Sequence, residues 1–186
     1  MKKVLTTLLS VFLLSSCSLS ETGTISGTLS TYETANFKIS YPLDWEVIDK
    51  SKFEINIPEN VIMAIRSNIK NESFTTNVNI SVEVPEKEVN VKEFALATMS
   101  LAKRKLTSFK EIQLGETTVN NIEGKIPAYY IEYEGKSSPK SPLVQIKQVF
   151  LNDNNAIYTL TKANLPTEDE SIVNLADLVL NSFVLK

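Results

Sequence analysis

Histidine is absent from the 186 residues, and cysteine occurs once, at position 17. Without His the commonest general base and metal ligand is missing, so Ser-His-Asp, Cys-His and His-metal chemistries are excluded. One Cys and five Gly leave no material for a disulfide scaffold or a Gly-rich fibre. The glycines stand at 23, 27, 115, 124 and 135, so no Gly-rich phosphate loop exists. No apolar run reaches the roughly 20 residues a spanning helix needs. What remains is 42% hydrophobic and 22% charged, a globular composition. At this length a single domain with a core needing no staples is expected.

The first 17 residues predict an address. Lys2 and Lys3 form a positive region, and Val4 to Leu14 an apolar run of about ten residues, the pattern of a signal peptide. Leu14-Ser15-Ser16-Cys17 resembles the bacterial lipobox, in which cleavage precedes a diacylated cysteine. Residues 1–16 are therefore read as a lipoprotein signal peptide, and Cys17 as the lipidation site. Losing Lys2 and Lys3 leaves 17 basic against 22 acidic residues, net −5. Such a domain has no electrostatic reason to bind nucleic acid or anionic headgroups, so the membrane partner is reached through lipid on Cys17. The expected location is the extracytoplasmic face of the cell membrane or outer membrane.

Residues 17–35 follow as the lipidated cysteine and a Ser/Thr/Gly-rich tether; as a coil of about 18 residues it would reach about 21–25 Å. One domain, 36–186, takes up the rest. Phe37, Ile39 and Tyr41 alternate on a strand ended by Pro42, and Trp45 to Ile48 begins another. Phe53, Ile55 and Ile57 alternate before Pro58, and Val61 to Ile65 is an apolar run. Val78, Ile80, Val82 and Val84 alternate with polar residues, which predicts a half-buried strand.

Asn90, with Glu93 three residues on, predicts a helix start; Val91, Phe94, Ala95, Thr98, Leu101, Ala102 and Leu106 supply its face. Strand patterns return at Ile112–Leu114, at Val119, from Lys125 to Tyr133, at Leu143–Leu151 and at Ala156–Thr161. Asn152 to Asn155 form a hairpin turn by composition. Pro166 then opens a second helix, with Glu168, Asp169 and Glu170 at its positive end. Short connections favour antiparallel pairing, and two amphipathic helices must cover the sheet: an α+β domain.

This pattern resembles the PsbP-like domains, including the bacterial PsbP-related lipoproteins. The residues that match are Phe37 to Val47 with Tyr41-Pro42 and Trp45, then Gly124, Ala128 and Tyr130, Ala156 to Thr161, and Asn181-Ser182-Phe183. The resemblance implies a mostly antiparallel sheet flanked by helices, an α/β/α sandwich with no catalytic centre, in a family of extrinsic subunits, assembly factors and protein-binding modules. Metal binding through His, found in some members, cannot transfer to a chain without His.

Candidate chemistry elsewhere is thin. Ser67/Lys70, Ser100/Lys103 and Ser137/Lys140 match Ser-x-x-Lys, but composition alone yields about two such pairs and the companion elements are absent. Asp153 and Asn155 fit the start of a calcium loop that Ala156 and Ile157 then break, and turn chemistry explains them better. Trp45 reads as core, as do Tyr129, Tyr130 and Tyr133, with Tyr130 on the face opposite the other two. The expected function is a lipid-anchored, non-enzymatic envelope protein without cofactor that binds or helps assemble another envelope protein. The alternative is a small-ligand-binding lipoprotein, with a pocket between sheet and helix lined by Tyr and Trp.

Overall fold

The computed structural model describes residues 28–52 and 58–186. Ten strands and two helices follow in chain order: β1 Leu29–Glu33, β2 Phe37–Pro42, β3 Glu46–Asp49, β4 Val61–Arg66, β5 Asn77–Glu83, α1 Val91–Lys105, β6 Thr107–Asn121, β7 Gly124–Lys136, β8 Val144–Asp153, β9 Ala156–Asn164, α2 Glu170–Asn181 and β10 Val184–Leu185. A 3₁₀ turn at Lys50–Lys52 follows β3. The strands form one sheet in the order β1-β2-β10-β6-β7-β8-β9-β5-β4-β3. Every neighbouring pair is antiparallel except β10 with β6, where Val184 stands opposite Asn120.

The helices take opposite faces. Phe94, Ala95, Met99 and Ala102 of α1 pack with Tyr129, Ile131, Tyr133, Ile146 and Phe150. Ile172, Ala176, Val179 and Leu180 of α2 pack with Ile39, Trp45, Val78, Leu151 and Leu160. This is the expected α/β/α sandwich. It is also curled: α2 touches β2 on one side and β9 and β5 on the other. Six strand positions separate β2 from β5, about 29 Å on a flat sheet, whereas a helix is only about 10–12 Å across. The sheet therefore wraps around α2. Phe183, just past that helix, closes the wrap, with its ring 5.4 Å from Phe37 of β2 and 6.2 Å from Tyr158 of β9.

Several boundaries agree with the sequence. Asn90 caps α1, its Oδ1 accepting from Lys92 N at 2.9 Å and Glu93 N at 3.3 Å. Asn154 and Asn155 take φ of 48° and 66°, the left-handed pair of a two-residue hairpin turn.

Others are corrected. The tether expected over 17–35 ends early, because Leu29–Glu33 pair with β2 from Leu29↔Pro42 to Glu33↔Lys38. An edge strand needs only one inward row, and Tyr32 supplies its packing against the core. α2 begins at Glu170 with Asp169 as its cap, whose side chain accepts from Ser171 N at 2.8 Å. Pro166 instead occupies the second position of a turn closed by Glu168 N to Leu165 O at 3.1 Å. The separate strands at Ile112–Leu114 and Val119 are one, β6. β5 is buried on both faces, Asn79 and Ser81 included, rather than half-buried. Phe53 to Ile57, like Cys17 and residues 1–16, lie outside the described residues.

Candidate functional site

The sequence-level candidates disperse. Trp45 is buried in the core on the α2 side. Tyr129 and Tyr133 are buried on the α1 face and Tyr130 packs on the other, as alternation requires. Each Ser-x-x-Lys serine is engaged locally. Ser67 Oγ accepts from Ile69 N at 3.1 Å, Ser100 Oγ donates to Leu96 O at 2.9 Å, and Ser137 Oγ donates to Ser141 Oγ at 2.8 Å. Lys70, Lys103 and Lys140 stand exposed. Among the described residues no three acidic or Cys side chains gather to hold a metal. No described helix is long and apolar enough to cross a membrane.

Buried polarity on the α1 face is structural. Tyr133 Oη donates to Gln148 Oε1 at 3.1 Å, and Gln148 Nε2 donates to Thr161 Oγ1 at 3.2 Å, a row crossing β7, β8 and β9. Burial pushes the Tyr133 phenol well above its ordinary value of 10.0, so it stays a neutral donor. On the α2 face, nearly buried Lys162 donates to Asp177 Oδ2 at 2.8 Å, pinning α2 to β9.

The distinctive surface is β6. Its fifteen residues run beside β7, paired without a break from Gln113 to Asn121 and irregularly before that, but on the other side only Asn120 and Asn121 meet β10. Among the described residues, that side from Thr107 to Val119 is an unpaired strand edge. The direction of its groups follows from Ile122, whose N–H donates to Leu185 O at 3.0 Å. Backbone groups alternate along a strand, so those of Thr118, Glu116 and Leu114 turn the same way, outward. The register Gln113↔Glu132 to Asn121↔Gly124 runs unbroken through this stretch. Upstream, irregular pairing near Ile112 and a positive φ of 54° at Ser108 distort the edge.

A cleft of ≈ 130 Å³ opens where β6 and the end of α2 diverge. Its floor is apolar, built from Val119, Val149, Leu160, Leu180 and Phe183. Thr117, Asn120, Asn181, Tyr130 and Lys147 form a polar rim. The cleft lies between sheet and helix; Tyr130 lines it and Trp45 does not. Lys147 reaches it from β8: its Nζ lies 5.9 Å from the centre of the Tyr130 ring. That ring in turn lies against Gly115 of β6, where a Cβ would stand only 3.2 Å from Tyr130 Cε1. Gly115 thus lets an aromatic ring bridge from β7 onto β6 and carry the ammonium toward the open edge. Lys147 makes no salt bridge with another described residue.

No protein-family model matches the chain, and no curated protein matches it. Solved structures do. The solution structure of the cyanobacterial PsbP protein CyanoP from Synechocystis sp. PCC 6803 aligns at a TM-score of 0.61 and 14% identity, over 91% of this chain and 98% of that one. LpqN of Mycobacterium tuberculosis, described as involved in cell envelope biogenesis, aligns at 0.57 and 12% identity, over 86% and 90%. At these identities the likeness is one of fold. The fold is PsbP-like, as the residues around Tyr41-Pro42 and Trp45 implied.

Proposed function

We propose that the chain is a non-catalytic, lipid-anchored module of the cell envelope that holds another envelope protein by adding a strand of that partner to β6. The open edge of β6 is the observation on which this rests. Unpaired N–H and C=O groups over several residues offer main-chain hydrogen bonds to any extended segment, and flanking pockets supply selectivity. The lipobox at Leu14 to Cys17 supports anchoring, with the first described strand beginning twelve residues after the cysteine. LpqN, a protein of like fold, is described with envelope biogenesis. A cleft of ≈ 130 Å³ falls well below the roughly 300–1,000 Å³ of pockets that enclose drug-sized ligands. A wider hollow of ≈ 510 Å³ lies along the same strand, beside Glu116, Thr117, Thr118, Lys125, Pro127 and Ala128, and the preference for a protein partner rests on the open edge of β6.

Photo-crosslinking in living cells tests this, with the crosslinker placed in turn at Gln113 and Thr118 of β6 and at Thr31 of β1. The same protein adduct from both β6 positions, absent from Thr31 and lost on Glu116→Pro, is the expected result. Proline at 116 removes an outward donor and no bond to β7. A partner captured equally with Glu116→Pro in place overturns the strand-addition reading.

A further inference from the structure

We infer that the partner strand lies parallel to β6 and ends there, its free C-terminal carboxylate in the cleft beside Lys147 and its last side chain on the apolar floor. The inference rests on strand addition to β6 and specifies the occupant.

Register comes first. A strand paired with β6 from Leu114 onward cannot continue past Val119, because Val184 of β10 already stands opposite Asn120. The partner segment must therefore turn away or stop. With β10 in its way, a chain that simply terminates meets the least obstruction.

Direction follows from charge. β6 runs toward Asn120, so a parallel strand arrives with its C-terminus and an antiparallel one with its N-terminus. Among the described residues Lys147 is the only charged side chain lining the cleft. A carboxylate gains a charge-assisted bond there, whereas an ammonium is repelled. The carbonyls at the nearby end of α2 oppose an anion, but the Ser182 N–H donates to Leu178 O at 2.9 Å and Val179 O at 3.2 Å and blunts them. Glu132, opposite Lys147 on β7, accepts from Gln145 Nε2 at 2.7 Å. A parallel strand also repeats the direction β10 takes beside β6.

The floor decides the last residue. Val119, Val149, Leu160, Leu180 and Phe183 present apolar side chains there, so an apolar last side chain such as Val, Leu or Ile matches it.

The test presents the full-length protein in detergent micelles with two hexapeptide libraries, randomised at five positions and ending in Val, Leu or Ile. One library carries a free carboxyl and the other a C-terminal amide. Retention of the free acids at least tenfold above the amides, lost in both Lys147→Gln and Glu116→Pro and restored by Lys147→Arg, is expected. Thermal midpoints of the variants within about 2 °C of the parent exclude misfolding. Equal retention of acids and amides, lost only in Glu116→Pro, overturns the carboxylate inference and leaves strand addition standing. Retention of neither library while the in-cell crosslinks at Gln113 persist does the same. Loss of both the library signal and the crosslinks overturns the two together.

Discussion

Ser182 and Ser40, 142 residues apart in sequence, are joined side chain to main chain. The Ser40 N–H donates to Ser182 Oγ at 2.9 Å, and that oxygen lies 3.0 Å from the Ser40 carbonyl and 2.8 Å from the carbonyl of Val179. One hydroxyl proton is shared between two acceptors. Because β10 pairs with β2 only at Lys38 and Phe37, the Ser182 hydroxyl stands in for the missing strand one step further along. It holds β2 against the end of α2 while β6 runs free, and so maintains the division from which the cleft opens.

Ser182→Ala removes that stand-in and leaves a half-buried N–H without an acceptor. The expected loss is about 1–2 kcal/mol, or about 2–8 °C in thermal midpoint for a chain of this size. Amide exchange at Ser40 should rise above that of Ile39. An unchanged exchange rate at Ser40 would show that the hydroxyl does not hold β2.

The Lys162–Asp177 pair predicts unequal mutants. Asp177→Ala strands a nearly buried ammonium and should cost about 3 kcal/mol or more. Lys162→Met leaves Asp177, whose side chain is 33% exposed though its Oδ1 is buried, so it should cost less. Urea titrations of the two variants decide the order, and equal losses would count against this account.

Glu83 carries a pH signature. Burial pushes its carboxyl above the ordinary 4.5, and the hydrogen bond from Asn60 Nδ2 at 3.1 Å offsets only part of this. The folded chain then binds the proton more tightly than the unfolded one, so stability falls as pH rises from about 4.5 through the raised value. Glu83→Gln should therefore be more stable than the parent at pH 7 and no more stable below pH 4. Parallel stability curves for the two proteins across that range would refute it.

Cys17→Ala tests the anchor. Incorporation of labelled palmitate and sedimentation with membranes should both disappear. Persistence of either in the variant sinks the lipobox reading.

Local order was legible wherever a residue's neighbours in sequence settle its state. The alternation of Phe37, Ile39 and Tyr41, the Asn90 cap and the Asn154-Asn155 turn depend on backbone groups a few positions away. Helix faces could be read because Phe94, Ala95 and Ala102 recur at the helical period. Errors fell where a strand lacks an apolar row. β1 and most of β6 are Ser-, Thr- and Glu-rich, because edge strands owe their place to ladder bonds with a neighbour more than to burial. The mirror case is β5, where Asn79 and Ser81 look outward-facing by composition and lie buried.

By itself, then, the sequence determined the fold class, the excluded chemistries and the expected address at Cys17. Tertiary structure alone decided that the sheet curls around α2, that β10 covers just two residues of β6, and that Lys147 reaches over Tyr130 toward that open edge. The reason is range. Capping, turn chemistry and periodicity act between residues a few places apart, whereas the cleft is built from Thr117, Lys147 and Phe183, which only the closed sheet brings together.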